Sequence, residues 1–214
     1  MNLKNFNFDV DADGIALVTW DMPGRSMNVF TVEVMQELSD IVEKVIADSA
    51  IKGAVVTSGK DSFSGGADLT MLESLSSVIR DIDKAKDKKA AMQAFFDQSR
   101  QMSVIYRRLE TGKKPWVAAI NGTAVGGAFE LALACHRRVA SENEKTRLGL
   151  PEVKVGLFPG AGGTQRLPRM IPAADALQLM LRGEQIRLDK AKQLKLVDEV
   201  VPADKLIETA KAWI

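Results

Sequence analysis

The chain has 214 residues, 46% hydrophobic and 27% charged, and its 29 Lys+Arg against 28 Asp+Glu leave a net charge of +1. That length buries a core within one domain, or one domain plus an appendage, and the composition excludes a disordered polymer. The balance of charge removes the cation surplus that a nucleic-acid partner requires, and one cysteine with one histidine excludes an internal disulfide and a His/Cys zinc site in this chain, so no metal is expected.

No apolar run approaches the 18 residues of a spanning helix, so no membrane span is expected. The first eight residues lack both the basic-then-apolar order of a secretory signal and the Arg-rich character of a transit sequence. A cytoplasmic location is the expectation.

In chain order, the first fifty residues predict a hairpin and then a helix. Residues 15–20, Ile-Ala-Leu-Val-Thr-Trp, are strand-like, and Asp13-Gly14 is a turn signal before them. Asp9, Asp11, Asp13 and Gly14 imitate the start of a calcium loop, but the twelfth position is Trp20, which supplies no carboxylate. A turn between strands is the reading adopted. Thr31 caps a helix whose apolar face is Val34, Leu38, Ile41 and Val45, with Glu33 at its positive end. Residues 54–57 then form a short buried strand closed by Ser58-Gly59, an α/β rhythm.

Residues 69–109 are predicted mainly helical. The lysines at 84, 86, 88 and 89 are interleaved with Asp81, Asp83 and Asp87, the pattern of a solvated face or linker rather than an RNA site. Met92, Phe95, Phe96, Met102, Ile105 and Leu109 recur at helical spacing, the mark of a core stripe, with a pocket for an apolar ligand tail as the alternative. A buried strand follows at 116–120, a fully buried helix at 129–135 and a further strand at 137–141. Residues 151–163 are a Gly/Pro-rich loop, helices are expected near 172–181 and 189–194, and 197–201 is short and apolar. Residues 204–214 form an amphipathic helix ending on Trp213-Ile214 without a Gly cap or polar tail. Its apolar face is expected to lie uncovered, as in a fragment of a longer polypeptide.

The glycine loops do not fit nucleotide templates. There is no P-loop, and Gly160-Ala161-Gly162-Gly163-Thr164-Gln165 lacks the last glycine of a dinucleotide fingerprint. Two others, Ser64-Gly65-Gly66-Ala67-Asp68-Leu69 and Val125-Gly126-Gly127-Ala128-Phe129-Glu130, sit at strand-to-helix transitions. Unpaired N–H groups there form an oxyanion hole if two of them converge; as a plain alternative, these glycines are caps and turns. Glu130 lies in so apolar a stretch that a solvated carboxylate does not fit, and Glu152 opens the next glycine-rich region. A buried carboxyl with a raised pKa suits proton transfer near neutrality. His136, in Cys-His-Arg-Arg, reads as structural.

Asn121-Gly122-x-x-x-Gly126-Gly127-x-x-Glu130-Leu131-Ala132, then Pro151-Glu152-x-x-x-Gly156-x-x-Pro159-Gly160-x-Gly162-Gly163-Thr164, together with the loop at 63–69, resembles the enoyl-CoA hydratase/isomerase (crotonase) superfamily over nearly the whole chain. Residues 148–152 and 162–169 look closest to its branch formed by the N-terminal hydratase part of multifunctional fatty-acid oxidation enzymes. The resemblance implies an α/β spiral of repeated ββα units: a core at 1–200, a helical insertion or lid at 70–110, and at 201–214 the start of an incomplete helical region. It implies hydration of 2-enoyl-CoA in β-oxidation, with the N–H groups of Ala67 and Gly127 on the thioester oxygen, each worth about 3 to 4 kcal/mol in the barrier. Glu130 and Glu152 would bind the water and move its protons. Substrate or CoA contacts are implied at Arg25, Ser26, Met27, Ser64, Gly66, Asp68 and Leu69, although residues 25–28 depart from the more frequent Ala-Leu-Asn pattern. Hydration needs no cofactor, CoA arriving with the substrate; NAD enters only with a downstream dehydrogenase domain. The implied partners are the acyl-CoA thioester and, for a full-length chain, a homo-oligomer or thiolase-containing complex. Δ3-Δ2-enoyl-CoA isomerisation, which runs on one carboxylate, and a non-catalytic scaffold are the alternatives.

Overall fold

Gly14, at φ +81°, turns the chain between β1 (Phe6–Val10) and β2 (Ile15–Trp20), which pair antiparallel. The Asp11 carboxylate accepts the N–H groups of Asp13 and Ile15, and its other oxygen meets Lys211 at 2.7 Å. The acidic run is therefore a turn, as expected. The computed structural model, which describes residues 1–68, 70, 81–82 and 84–214, continues with α1 (Val32–Ala47). Thr31 Oγ1 caps α1 by accepting from Val34 N, and Val34, Leu38, Ile41 and Val45 are wholly buried.

Parallel to β2 run β3 (Gly53–Ser58), β4 (Trp116–Ile120), β6 (Arg137–Ser141) and β9 (Glu199–Val201), giving the sheet order β1-β2-β3-β4-β6-β9. The central strands read as unbroken apolar runs because both faces are covered. Alternate residues divide between those faces. Ala54, Val56, Trp116, Ala118 and Ile120 join Trp20, Phe30, Tyr106 and Phe129 in the larger core, while Val55, Val117, Ala119 and Val139 form a second cluster behind the sheet.

A smaller sheet of very short strands, β5 (Ala124–Val125), β7 (Leu148–Gly149) and β8 (Gln185–Ile186), runs beside the first, with β5 parallel to β7. Single bridges, Ser64 to Ala124 and Phe30 to Ala67, extend its line. Each turn of chain thus gives one strand to the large sheet, one short stretch to the small sheet, and usually a helix, the expected spiral. Among the described residues the remaining helices are α2 (Lys88–Ser99), α3 (Gln101–Thr111), α4 (Gly127–Ala134), α5 (Gly163–Met170), α6 (Ala173–Arg182), α7 (Leu188–Gln193) and α8 (Leu206–Ala212), with 3-10 turns at Glu152–Val155 and Ala203–Lys205. None is long and apolar enough to cross a membrane.

Three expectations need correction. The stripe in residues 92–109 is core only in its second half, where Ile105 and Leu109 are buried and Met102 packs part-buried against the core: α2 buries no residue, and Met92 and Phe96 are exposed. The apolar face of α8 is covered, because Leu206 and Ala210, with Ile207 and Ile214 partly buried, pack onto the second cluster of the sheet. Gly163, read as the last residue of the loop at 151–163, opens α5, which runs to Met170 despite Pro168 in its last turn. Leu69 and residues 71–80 and 83 of the insertion lie outside the described residues.

Candidate active site

Both expected oxyanion loops hang on the small sheet. Ser64, wholly buried, donates its N–H to the Thr123 carbonyl, accepts Val125 N–H at its own carbonyl, and accepts Gly66 N–H at Oγ. Asn28 clasps the same loop from the other side. Its Nδ2 donates to Trp20 O, Ser58 Oγ and Phe63 O, and its carbonyl accepts Gly65 N–H. Gly66 has φ +88°, and a Cβ there would stand 2.9 Å from the Val125 carbonyl and 3.6 Å from Gly126 Cα, so the loops are in direct contact.

Across that contact lie the two amides. Ala67 N–H makes no hydrogen bond to a described residue, whereas its neighbours Gly66 and Asp68 both donate. Gly127 opens α4, where N–H groups have no partner inside the helix. Gly126 before it holds φ +58° and ψ −135° and is fixed by donation to the Gly149 carbonyl. The Tyr106 hydroxyl, inside the core, donates to the Gly127 carbonyl at 2.8 Å, so this residue is held on both sides of its Cα.

Glu130 lies one turn along α4, 2% exposed, and its Oε1 accepts N–H groups from Ala161 at 2.9 Å and Gly163 at 2.7 Å. Burial lifts its carboxyl from the ordinary 4.5 to about 7, with the nearby Glu152 adding to the rise and the two amides and Arg166 opposing it. Glu152 begins the 3-10 turn after Pro151. Its Oε1 is within 3.5 Å of where a Gly126 Cβ would stand, its Oε2 is buried without a hydrogen-bond partner, and burial raises its pKa. The structure therefore brings together Ala67, Gly127 with Glu130, and Glu152, from three separate stretches of sequence. Two carboxyls that each disfavour charge are suited to trading protons with a ligand.

The other expected residues divide. Ser64 and Gly66 build the loop. Arg25 is half exposed and donates to Asp68 at 2.8 Å, so its cation already has a partner. Asp68 also accepts from the N–H and hydroxyl of Thr70, and these bonds with Arg25 hold its carboxyl below the usual range. Met27 is exposed beside the loop, where a Cβ on Gly65 would meet its sulfur at 2.7 Å; Ser26 is exposed. Met102 comes within 3.2 Å of a Gly127 Cβ position, the one residue of the apolar stripe seated against an oxyanion glycine. His136 accepts Trp116 N–H at Nδ1, a structural role.

Sequence reasoning missed Ala161 and Gly163 as donors to Glu130, and missed Tyr106. A buried Glu130 demanded donors, and the glycine loop at 160–163 was the available source; its failure as a nucleotide motif hid that use.

The sequence profile described as enoyl-CoA hydratase/isomerase matches residues 11–214. Relatives named fatty acid oxidation complex subunit alpha, from Shewanella halifaxensis and Shewanella frigidimarina, are 46% and 48% identical over 208 residues, 97% of this chain. The chain spans only 27% of the length of those two curated relatives. Among solved structures, an enoyl-CoA hydratase from Bacillus anthracis is 30% identical with TM-score 0.79 over 97% of this chain and 74% of its own. The structure of Pseudomonas aeruginosa DspI is 29% identical with TM-score 0.81 over 100% and 74%.

Proposed function

The chain belongs to the enoyl-CoA hydratase/isomerase family, and from that premise we propose that it hydrates trans-2-enoyl-CoA thioesters to 3-hydroxyacyl-CoA. The observation that carries this reading is the pairing of the buried Glu130 with the part-buried Glu152, beside two peptide N–H groups that lack acceptors among the described residues.

The thioester oxygen accepts from Ala67 and Gly127. Water oxygen bonds to C3 as its proton passes to Glu130, and the C2=C3 electron pair moves into the enolate held by the two amides. The enolate then takes a proton at C2 from Glu152. Two N–H donors on Oε1 favour the anionic form of Glu130, which supports its role as base. The unpartnered Oε2 of Glu152 favours the protonated form, which supports its role as acid. The reaction as written draws on no cofactor beyond the CoA of the substrate; NAD would belong to a dehydrogenase elsewhere in a longer chain. The exposed Arg25, Ser26 and Met27 flank the Gly65–Asp68 stretch, which supports placing the CoA moiety there. Met102 supports a wall for the acyl chain.

The names of the relatives, and the share of their length that this chain spans, support a β-oxidation role within a longer polypeptide. Assembly as a homo-oligomer or with a thiolase belongs to the same proposal. A single cysteine, Cys135, supports a cytoplasmic setting.

The test follows loss of the conjugated-thioester absorbance of a 2-enoyl-CoA. Glu130→Gln and Glu152→Gln are each expected to lower kcat by about 10²–10⁴-fold. Unchanged rates in both variants would refute the assignment. Glu152, unpartnered beside the oxyanion loops, also supports a second reading as the shuttle of an isomerase; a 3-enoyl substrate still turned over by Glu130→Gln protein is the result that favours it.

A further inference from the structure

Glu130 is held by a turn that has almost no side chains with which to hold itself. Of Gly160, Ala161, Gly162 and Gly163, three are glycines, yet two N–H groups from this turn must reach one carboxylate oxygen together. The clamps lie on the carbonyls of the same turn. The Ala161 N–H belongs to the peptide whose carbonyl is Gly160, and that carbonyl accepts from Ser103 Oγ on α3 at 2.8 Å. The Ala161 carbonyl accepts from Arg166 Nη1 at 3.0 Å, and the Gly162 carbonyl, which shares a peptide with the Gly163 N–H, accepts from the backbone N–H of Arg166 at 2.9 Å. The Arg166 guanidinium is in turn fixed on α3, with Nε 3.1 Å and Nη2 3.3 Å from the Glu110 carboxylate, and its side chain is 12% exposed. Gly162, at φ +107°, leaves the room: a Cβ there would collide with Arg166 Nη1.

We propose that Ser103 and Arg166, the latter held by Glu110, are positioning residues that fix the 160–163 turn so that both amides meet Glu130 Oε1. The proposal rests on the hydratase reading for its kinetic consequence but not for its structural one. The titratable and charged groups facing Glu130 are Glu152 from the 3-10 turn, Arg166 from α5 and Tyr106 from α3. Ser103 is uncharged, so its removal alters none of them. Removing Glu110 subtracts a negative charge, which by electrostatics alone leaves Glu130 where it is or makes it more acidic. Loss of the clamp acts the other way, because amides that drift from Oε1 cease to stabilise the carboxylate.

The experiment titrates the Glu130 carboxyl by NMR in glutamate carboxyl-labelled protein, assigned by its absence in Glu130→Gln, for the unaltered protein and for Ser103→Ala, Ser103→Thr, Glu110→Ala and Arg166→Met. Positioning predicts an upward shift of the Glu130 midpoint in Ser103→Ala and Glu110→Ala, with restoration in Ser103→Thr. It also predicts a fall in kcat for 2-enoyl-CoA hydration of about 10- to 100-fold with KM little changed. An unmoved or lowered midpoint in both Ser103→Ala and Glu110→Ala overturns the proposal, whether or not Arg166→Met folds. A raised midpoint in a protein that does not hydrate enoyl-CoA supports the clamp and overturns the hydratase reading instead.

Discussion

Removing the Tyr106 hydroxyl takes a second donor from the Gly127 carbonyl, which keeps only its α4 bond from the Leu131 N–H. Tyr106→Phe is therefore expected to cost about 0.5–1.5 kcal/mol of unfolding free energy in urea and, on the hydratase reading, to lower kcat by loosening Gly127. Burial first, then the Glu130 charge, raises the Tyr106 pKa well above its ordinary value, so the phenol remains a donor at every pH of interest. Glu130 itself opposes folding. Its folded pKa of about 7 lies above the ordinary 4.5, so between those values the native state keeps a proton that the unfolded chain has lost. Stability then falls as pH rises from 4.5 to 7 and the loss is complete above 7, on the order of 3 kcal/mol. Glu130→Gln, whose amide oxygen still accepts both N–H groups, should unfold at higher urea than the parent at pH 8 and at the same urea at pH 4. Both carboxyls were legible as residues because a charge in an apolar run is chemically conspicuous. Their donors were not, since a peptide N–H is supplied by every residue type except proline.

At the level of elements, the site depends on two loops touching through glycine. In Gly66→Ala the new methyl meets the Val125 carbonyl at 2.9 Å, on a backbone of φ +88° that side chains rarely adopt. Strain of about 1–3 kcal/mol and a widened gap between Ala67 and Gly127 are expected. The absorbance assay should show kcat reduced far more than the stability loss explains. The long elements were readable: the period of Val34, Leu38, Ile41 and Val45 gave α1, and unbroken apolar runs gave β3, β4 and α4. The strands that carry the site were not, because two residues such as Ala124-Val125 or Leu148-Gly149 hold no period to detect. α5 was missed for a related reason, Pro168 being a breaker signal that the last turn of a short helix tolerates.

For the molecule as a whole, the two faces of the large sheet have different tasks. The face bearing α1, α3 and α4 positions the chemistry, whereas α8 only closes the back over Val55, Val117, Ala119, Val139 and Val201. Leu206→Ala should accordingly cost about 2–4 kcal/mol in urea while kcat of the folded protein stays unchanged. The order of the layers and the family were legible because three glycine-bearing motifs follow one another along the chain; the cover over the back sheet was not, since amphipathicity names a face without naming what meets it. The spiral has one more consequence, for the ribosome. Ala67 is made 96 positions before Gly163, and Glu130 emerges 31 residues before its first amide. A nascent chain stalled anywhere in that interval carries a naked acid in its apolar helix, so translation must run past the 160s before the Glu130 carboxyl has a place to settle.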